Sequence, residues 1–130
     1  MNGRQDTTRS RDGSRRSRGR VLLCEPNTVA RTALVQLLED GGWQALLCTN
    51  PNDALSASRS GQPIAALLVD IREGMAISKA LRQCQPEVLV LYMSTGAELP
   101  EGCVGELVKK PIDFAVIERL LTKVGALAQS

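Results

Sequence analysis

From Val21 onward the chain alternates short, mainly apolar runs with stretches where apolar residues recur every three or four positions. The runs are Val21–Cys24, Trp43–Thr49, Ile64–Val69, Val88–Met93 and a weaker Glu106–Lys109. Apolar runs of this length, without polar alternation, read as strands covered on both faces. Between them lie helical patterns. Asn27 or Thr28 caps a first helix whose apolar face is Val29, Ala33, Leu34, Leu37 and Leu38, and Gly41-Gly42 stops it. Asn50-Pro51 opens a short second helix that runs to about Ser60. Ile77, Ala80, Leu81 and Cys84 mark the face of a third, which ends before Pro86. Asp113 caps a last helix with Phe114, Ile117, Leu121, Val124 and Ala128 facing inward.

Strand and helix alternating in this way imply right-handed crossovers and a parallel sheet with helices on both faces. The expected fold is a doubly wound, three-layer α/β domain of about five strands. No internal repeat is visible. A chain of 130 residues is one domain's worth and long enough to bury a core.

The strand ends carry the polar residues. Glu25 follows the first strand, Asp70 the third, Ser94 the fourth and Lys110 the fifth. Open parallel sheets place their chemistry at the carboxyl edge of the strands, so these four side chains are expected around one crevice. Two carboxylates, a hydroxyl and an ammonium are what acyl-phosphate chemistry requires. An aspartate attacks phosphorus, carboxylates hold a divalent cation, and lysine and serine steady the phosphoryl oxygens. The competing reading of Asp70 is a helix-capping or turn aspartate.

Composition narrows the alternatives. Trp43, Tyr92 and Phe114 are the full aromatic set, too few for the stacking platforms of single-strand or RNA binding. No run approaches the roughly 20 apolar residues of a membrane helix, and no apolar signal core opens the chain, so a soluble cytoplasmic protein is expected. Cys24, Cys48, Cys84 and Cys103 are scattered and the chain has no histidine, which argues against a zinc site and for small buried thiols. Net charge is +2, yet residues 1–20 carry seven arginines and two aspartates, a local +5 that leaves −3 for the remainder. Residues 1–19 read as a disordered Arg/Ser-rich tail, through which alone nucleic acid or an acidic partner would be contacted, and residues 20–130 as the folded domain.

In order and spacing the chain resembles the receiver domain of two-component response regulators over residues 20–125. RVLLCEPNTVARTALVQLLE is similar to the family's first strand and helix, and NPNDALSASRSG to its second helix. AALLVDI resembles the phosphoacceptor strand, VLVLYMST the switch strand and ELVKKPID the lysine-proline turn. The resemblance implies a flavodoxin-like sheet of order 2-1-3-4-5. It also implies Asp70 as phosphoacceptor, Ser94 as switch hydroxyl, Lys110 as the phosphate-contacting lysine, and Glu25 with Asp70 on Mg²⁺. The implied partners are a histidine kinase or phosphotransfer protein and an unknown downstream protein, in a non-enzymatic role; oligomeric state is not implied.

The departures from the family pattern are specific. Its second acid aligns with Pro26, which has no side-chain oxygen; Asn27 is a neutral substitute one position on. After Asp70 only Arg72-Glu73-Gly74-Met75 precedes the expected helix, and Ser94 to Lys110 is too compressed around Pro100 for a full fourth helix, so that helix is expected to be reduced or missing. The aromatic that the family rotates aligns with Leu107. Two functions follow: a phospho-accepting receiver using Asp70, or a degenerate pseudo-receiver that keeps the fold as a phosphorylation-independent interaction module.

Overall fold

The computed structural model describes residues 17–60, 63–96 and 98–129, with side chains described as far as Lys123. The elements are β1 (Gly19–Cys24), α1 (Thr28–Asp40), β2 (Trp43–Leu47), α2 (Pro51–Arg59), β3 (Ile64–Asp70), α3 (Ile71–Cys84), β4 (Leu89–Ser94), β5 (Glu106–Lys109) and α4 (Phe114–Gln129). All neighbouring strands pair in parallel, in the order β2-β1-β3-β4-β5. This is the doubly wound five-stranded sheet that the alternation predicts.

Strand periodicity sends alternate residues to two cores. Val21 and Leu23, Ala66 and Leu68, and Leu91 and Met93 face one layer with Leu34 and Leu38 of α1 and Ile117 and Leu121 of α4. Leu22 and Cys24, Leu67 and Val69, and Val90 and Tyr92 face the other, against Ala54 of α2 and Ile77 and Leu81 of α3. Both faces of the three central strands are therefore covered, which is why their sequences carry no polar alternation.

Two expected helix faces need correction. In α1 only Leu34 and Leu38 of the expected set are buried, while Val29 is 80% exposed and Leu37 40%. The helix has a second apolar stripe, Val29-Ala33-Leu37, and a single contact with the sheet covers only one of the two. In α3, Ile77, Ala80 and Leu81 are buried as expected, but Cys84 is exposed at the last turn. Gly74 and Ser78, absent from the expected face, are buried there. The predicted caps hold for the first two helices: Asn27 Oδ1 accepts from Ala30 N at 2.8 Å, and Asn50 Oδ1 from Asp53 N at 2.9 Å. Asp113 Oδ1 accepts from Ala115 N at 3.0 Å ahead of α4. Val124 and Ala128 lie outside the described side chains.

Most of the Arg/Ser-rich tail, residues 1–16, lies outside the described residues. Arg18 is fixed to the domain: its guanidinium donates to Gly41 O at 3.0 Å and Glu118 Oε2 at 2.7 Å, and lies 4.6 Å from the centre of the Trp43 ring. Among the described residues between Ser94 and Glu106 there is no helix, only a turn closed by Cys103 N donating to Pro100 O at 3.1 Å. No described helix is long and apolar enough to cross a membrane.

Candidate functional site

Three of the four expected side chains meet at the carboxyl edge of the sheet. Asp70 is the last residue of β3 and Glu25 follows β1 directly, and the side chains of both are almost wholly buried. Lys110, just past β5, lies between them: its Nζ is 2.6 Å from Asp70 Oδ2 and 3.2 Å from Glu25 Oε1. The backbone holds the lysine there, since Lys110 N donates to Ser94 O at 2.8 Å. The second oxygen of Glu25 accepts from Asn27 N at 2.9 Å, in the turn that starts α1. Glu25 Oε1 makes no hydrogen bond of good geometry, so Lys110 reaches it as a charge.

Sequence reasoning missed the other cation. No loop separates Asp70 from α3: the helix begins at Ile71 with Asp70 as its N-cap, and Arg72, expected in a short loop, sits in the first turn. Asp70 Oδ1 accepts from Arg72 N at 3.0 Å and from Arg72 Nε at 2.8 Å, and Oδ2 from Arg72 Nη2 at 3.1 Å. With the Lys110 bond, four N–H groups converge on one carboxylate, about as many as its lone pairs accommodate. The capping and the site readings of Asp70 are thus both realised.

Electrostatics follow from this geometry. Hydrogen bonds from the Arg72 side chain are the main reason the Asp70 carboxyl lies well below the usual carboxylate range; burial opposes them, and Lys110 and the Arg72 N–H add to them. For Lys110 burial pulls downward, but the hydrogen bond to Asp70 and the nearby charges of Asp70 and Glu25 together hold its ammonium above the ordinary lysine value. The Arg72 guanidinium is likewise raised, chiefly by its bonds to Asp70. Two carboxylates and two cations make the cluster formally neutral.

Ser94 lies where the register puts it, at the end of β4, but its hydroxyl does not contact Asp70. Ser94 Oγ accepts from Gly96 N at 2.9 Å. The side chain lines a cleft of about 330 Å³ together with Asp70, Ile71, Arg72, Met93 and Thr95. Leu107 pairs in register with Tyr92, which is fully buried with its hydroxyl 3.0 Å from Ser78 Oγ. Behind the site, burial raises Cys24 to about 12 and Cys48 to about 11, so neither thiol is a nucleophile at neutral pH. Among the described residues no group of three or more His, Cys, Asp or Glu side chains converges as a metal site.

No protein-family model matches the chain. It is 25% identical over 112 residues to the sensor protein TorS of Escherichia coli, a match that covers 78% of this chain but only 12% of TorS. A two-component response regulator from Clostridium difficile superposes with a TM-score of 0.71 at 17% identity, covering 86% of this chain and 99% of the other. A receiver domain of a sensor histidine kinase from Pseudomonas aeruginosa, described with magnesium coordinated in its active site cleft, gives 0.68 at 20% identity, covering 83% and 98%. The receiver domain of Saccharomyces cerevisiae Ssk1, co-crystallised with the histidine phosphotransfer protein Ypd1, gives 0.70 at 16%, covering 88% and 93%. The chain has the receiver fold.

Proposed function

We propose that this chain is a pseudo-receiver: a receiver-fold module of two-component signalling that acts by protein contact, with Asp70 kept as a structural carboxylate. The observation that carries this reading is the saturation of Asp70 by four N–H donors at the very start of α3. Attack on phosphorus needs a free oxygen lone pair, and a carboxylate bonded in this way is a poor nucleophile. Divalent metal fits the surroundings equally poorly. Magnesium takes oxygen ligands in a near-octahedral shell. Here Pro26 offers no side-chain oxygen, Lys110 bridges the two acids, and the start of α3 presents N–H groups, which favour anions over cations. The proposed partner is a histidine kinase or a histidine phosphotransfer protein, in the cytoplasm, with a further unidentified protein downstream. No catalytic turnover is assigned to the chain.

Three observations favour the alternative, a phosphoryl group accepted on Asp70. Lys110 lies 2.6 Å from Asp70, Ser94 lines the same cleft, and the Arg72 side chain is 68% exposed and free to leave. Incubation with acetyl phosphate or phosphoramidate and Mg²⁺, followed by intact mass, separates the two. The pseudo-receiver reading expects an unchanged mass. A gain of about 80 Da, one phosphoryl group, that disappears in Asp70→Asn would establish the alternative.

A further inference from the structure

We infer that Arg72 is the internal counter-cation of this acidic pair and determines which cation the site accepts, keeping divalent metal out. The inference rests on the reading of Asp70 as a carboxylate held within the chain, and it assigns the hold to one residue. Arg72 supplies three of the four N–H groups on Asp70, two from its guanidinium and one from its backbone. A planar guanidinium on both oxygens of a carboxylate is the geometry that distinguishes arginine from a point charge such as lysine.

Position explains why the bond is so complete. In an N-cap the side chain accepts from the N–H two or three residues on, so capping fixes Asp70 Oδ1 on Arg72 N. The Arg72 side chain then folds back over the same carboxylate from the first turn. Because α3 starts at Ile71, Arg72 lies in its first turn, within reach of the carboxylate that caps it. The short stretch after Asp70 is therefore what sets the guanidinium on the carboxylate.

Exposed ion pairs are often worth little, but this one differs on its acidic side. The Asp70 side chain is only 2% exposed, whereas Arg72 is 68% exposed and among the described contacts hydrogen-bonds only to Asp70. Removing the guanidinium takes one positive charge from a neutral cluster and leaves Glu25 and Asp70 facing Lys110 alone. That opens a lone pair on each Asp70 oxygen and a net negative charge, both of which a hard divalent cation uses.

Mn²⁺ alone is the probe, with free ion counted by electron paramagnetic resonance in titrations of the full chain. The wild type is expected to show no binding at millimolar ion. Arg72→Gln is expected to gain affinity by at least about tenfold, and Arg72→Gln with Asp70→Asn to lose that gain. Arg72→Lys keeps the charge without the fork and is expected to fall between, an ordering that a purely structural role would not produce. Equal affinity in wild type and Arg72→Gln, measurable in both or in neither, would overturn the inference. Phosphorylation of the wild type by acetyl phosphate would sink the pseudo-receiver reading instead, and the Mn²⁺ comparison is scored independently of it.

Discussion

Replacing Lys110 by methionine is expected to destabilise the domain by about 2–4 kcal/mol at neutral pH, measured by urea unfolding. The lysine neutralises two carboxylates whose side chains are 1% and 2% exposed. Without it, buried Glu25 loses its ion-pair partner beside an Asp70 that Arg72 alone neutralises. Breaking a fully buried pair costs about 3–5 kcal/mol. Lys110 keeps 24% of its side-chain exposure, so solvent screening trims that range. A loss below about 0.5 kcal/mol would instead mark an ordinary surface pair.

The pH dependence has a definite sign. Asp70 is depressed in the folded state, so its contribution is fully present above its unfolded value of about 3.9 and is lost as pH falls through the lower folded value. Lys110 is raised, so its contribution is complete below about 10.4 and is lost as pH rises through the folded value. The gap between wild type and Lys110→Met is therefore widest between about pH 4 and pH 10 and narrows in acid, where Asp70 takes up a proton. Adding Glu25→Gln to the variant is expected to recover part of the loss at neutral pH.

Tyr92→Ala is the second large effect, an expected loss of about 3–5 kcal/mol. The ring is fully buried between Gly74 of α3 and Gly105, just ahead of β5. A Cβ on Gly74 would lie 2.7 Å from ring carbons Cδ1 and Cε1, and one on Gly105 3.0 Å from Cε2 and 2.5 Å from Val90 O. A helical Gly→Ala change ordinarily gains about 1 kcal/mol. Overpacking a filled core costs about 1–3 kcal/mol, and a buried ring cannot swing aside, so Gly74→Ala is expected to destabilise the wild type. In the Tyr92→Ala background the clash is gone and the same change is expected to stabilise, by up to about 1 kcal/mol. Additive effects in this double-mutant cycle would show that Gly74 is not there to admit the tyrosine.

The strand runs and the carboxyl edge where the candidate residues gather were legible because a fully covered parallel strand leaves an unbroken apolar signature. Ile64–Val69, one residue short of β3, is the clearest instance. Lys110 was legible from the lysine-proline turn after a strand, and it lands 2.6 Å from Asp70. The α1 face was not, because Val29 and Leu37 are as apolar as Leu34 and Leu38, and only tertiary packing selects which stripe turns inward. Ser94 ends β4 as its sequence position implies, but a local backbone N–H, that of Gly96, donates to its hydroxyl. Arg72 escaped notice for a different reason. The stretch after Asp70 reads as a loop when compared with longer relatives, and only the backbone shows α3 starting at once, which folds an exposed arginine onto a buried acid. Gly74 carried a usable hint, since a glycine inside a helix lowers its stability unless something large needs the space.

The central claim is that the charge of Asp70 is neutralised within the chain by Arg72 and Lys110. Carboxyl ¹³C chemical shifts of Asp70, followed against pH with and without Mg²⁺, test it most directly. The expected curve shows no inflection near the ordinary aspartate value of about 3.9 and no response to magnesium at neutral pH. A midpoint at or above about 3.9, or a saturable magnesium-dependent shift, would contradict the claim.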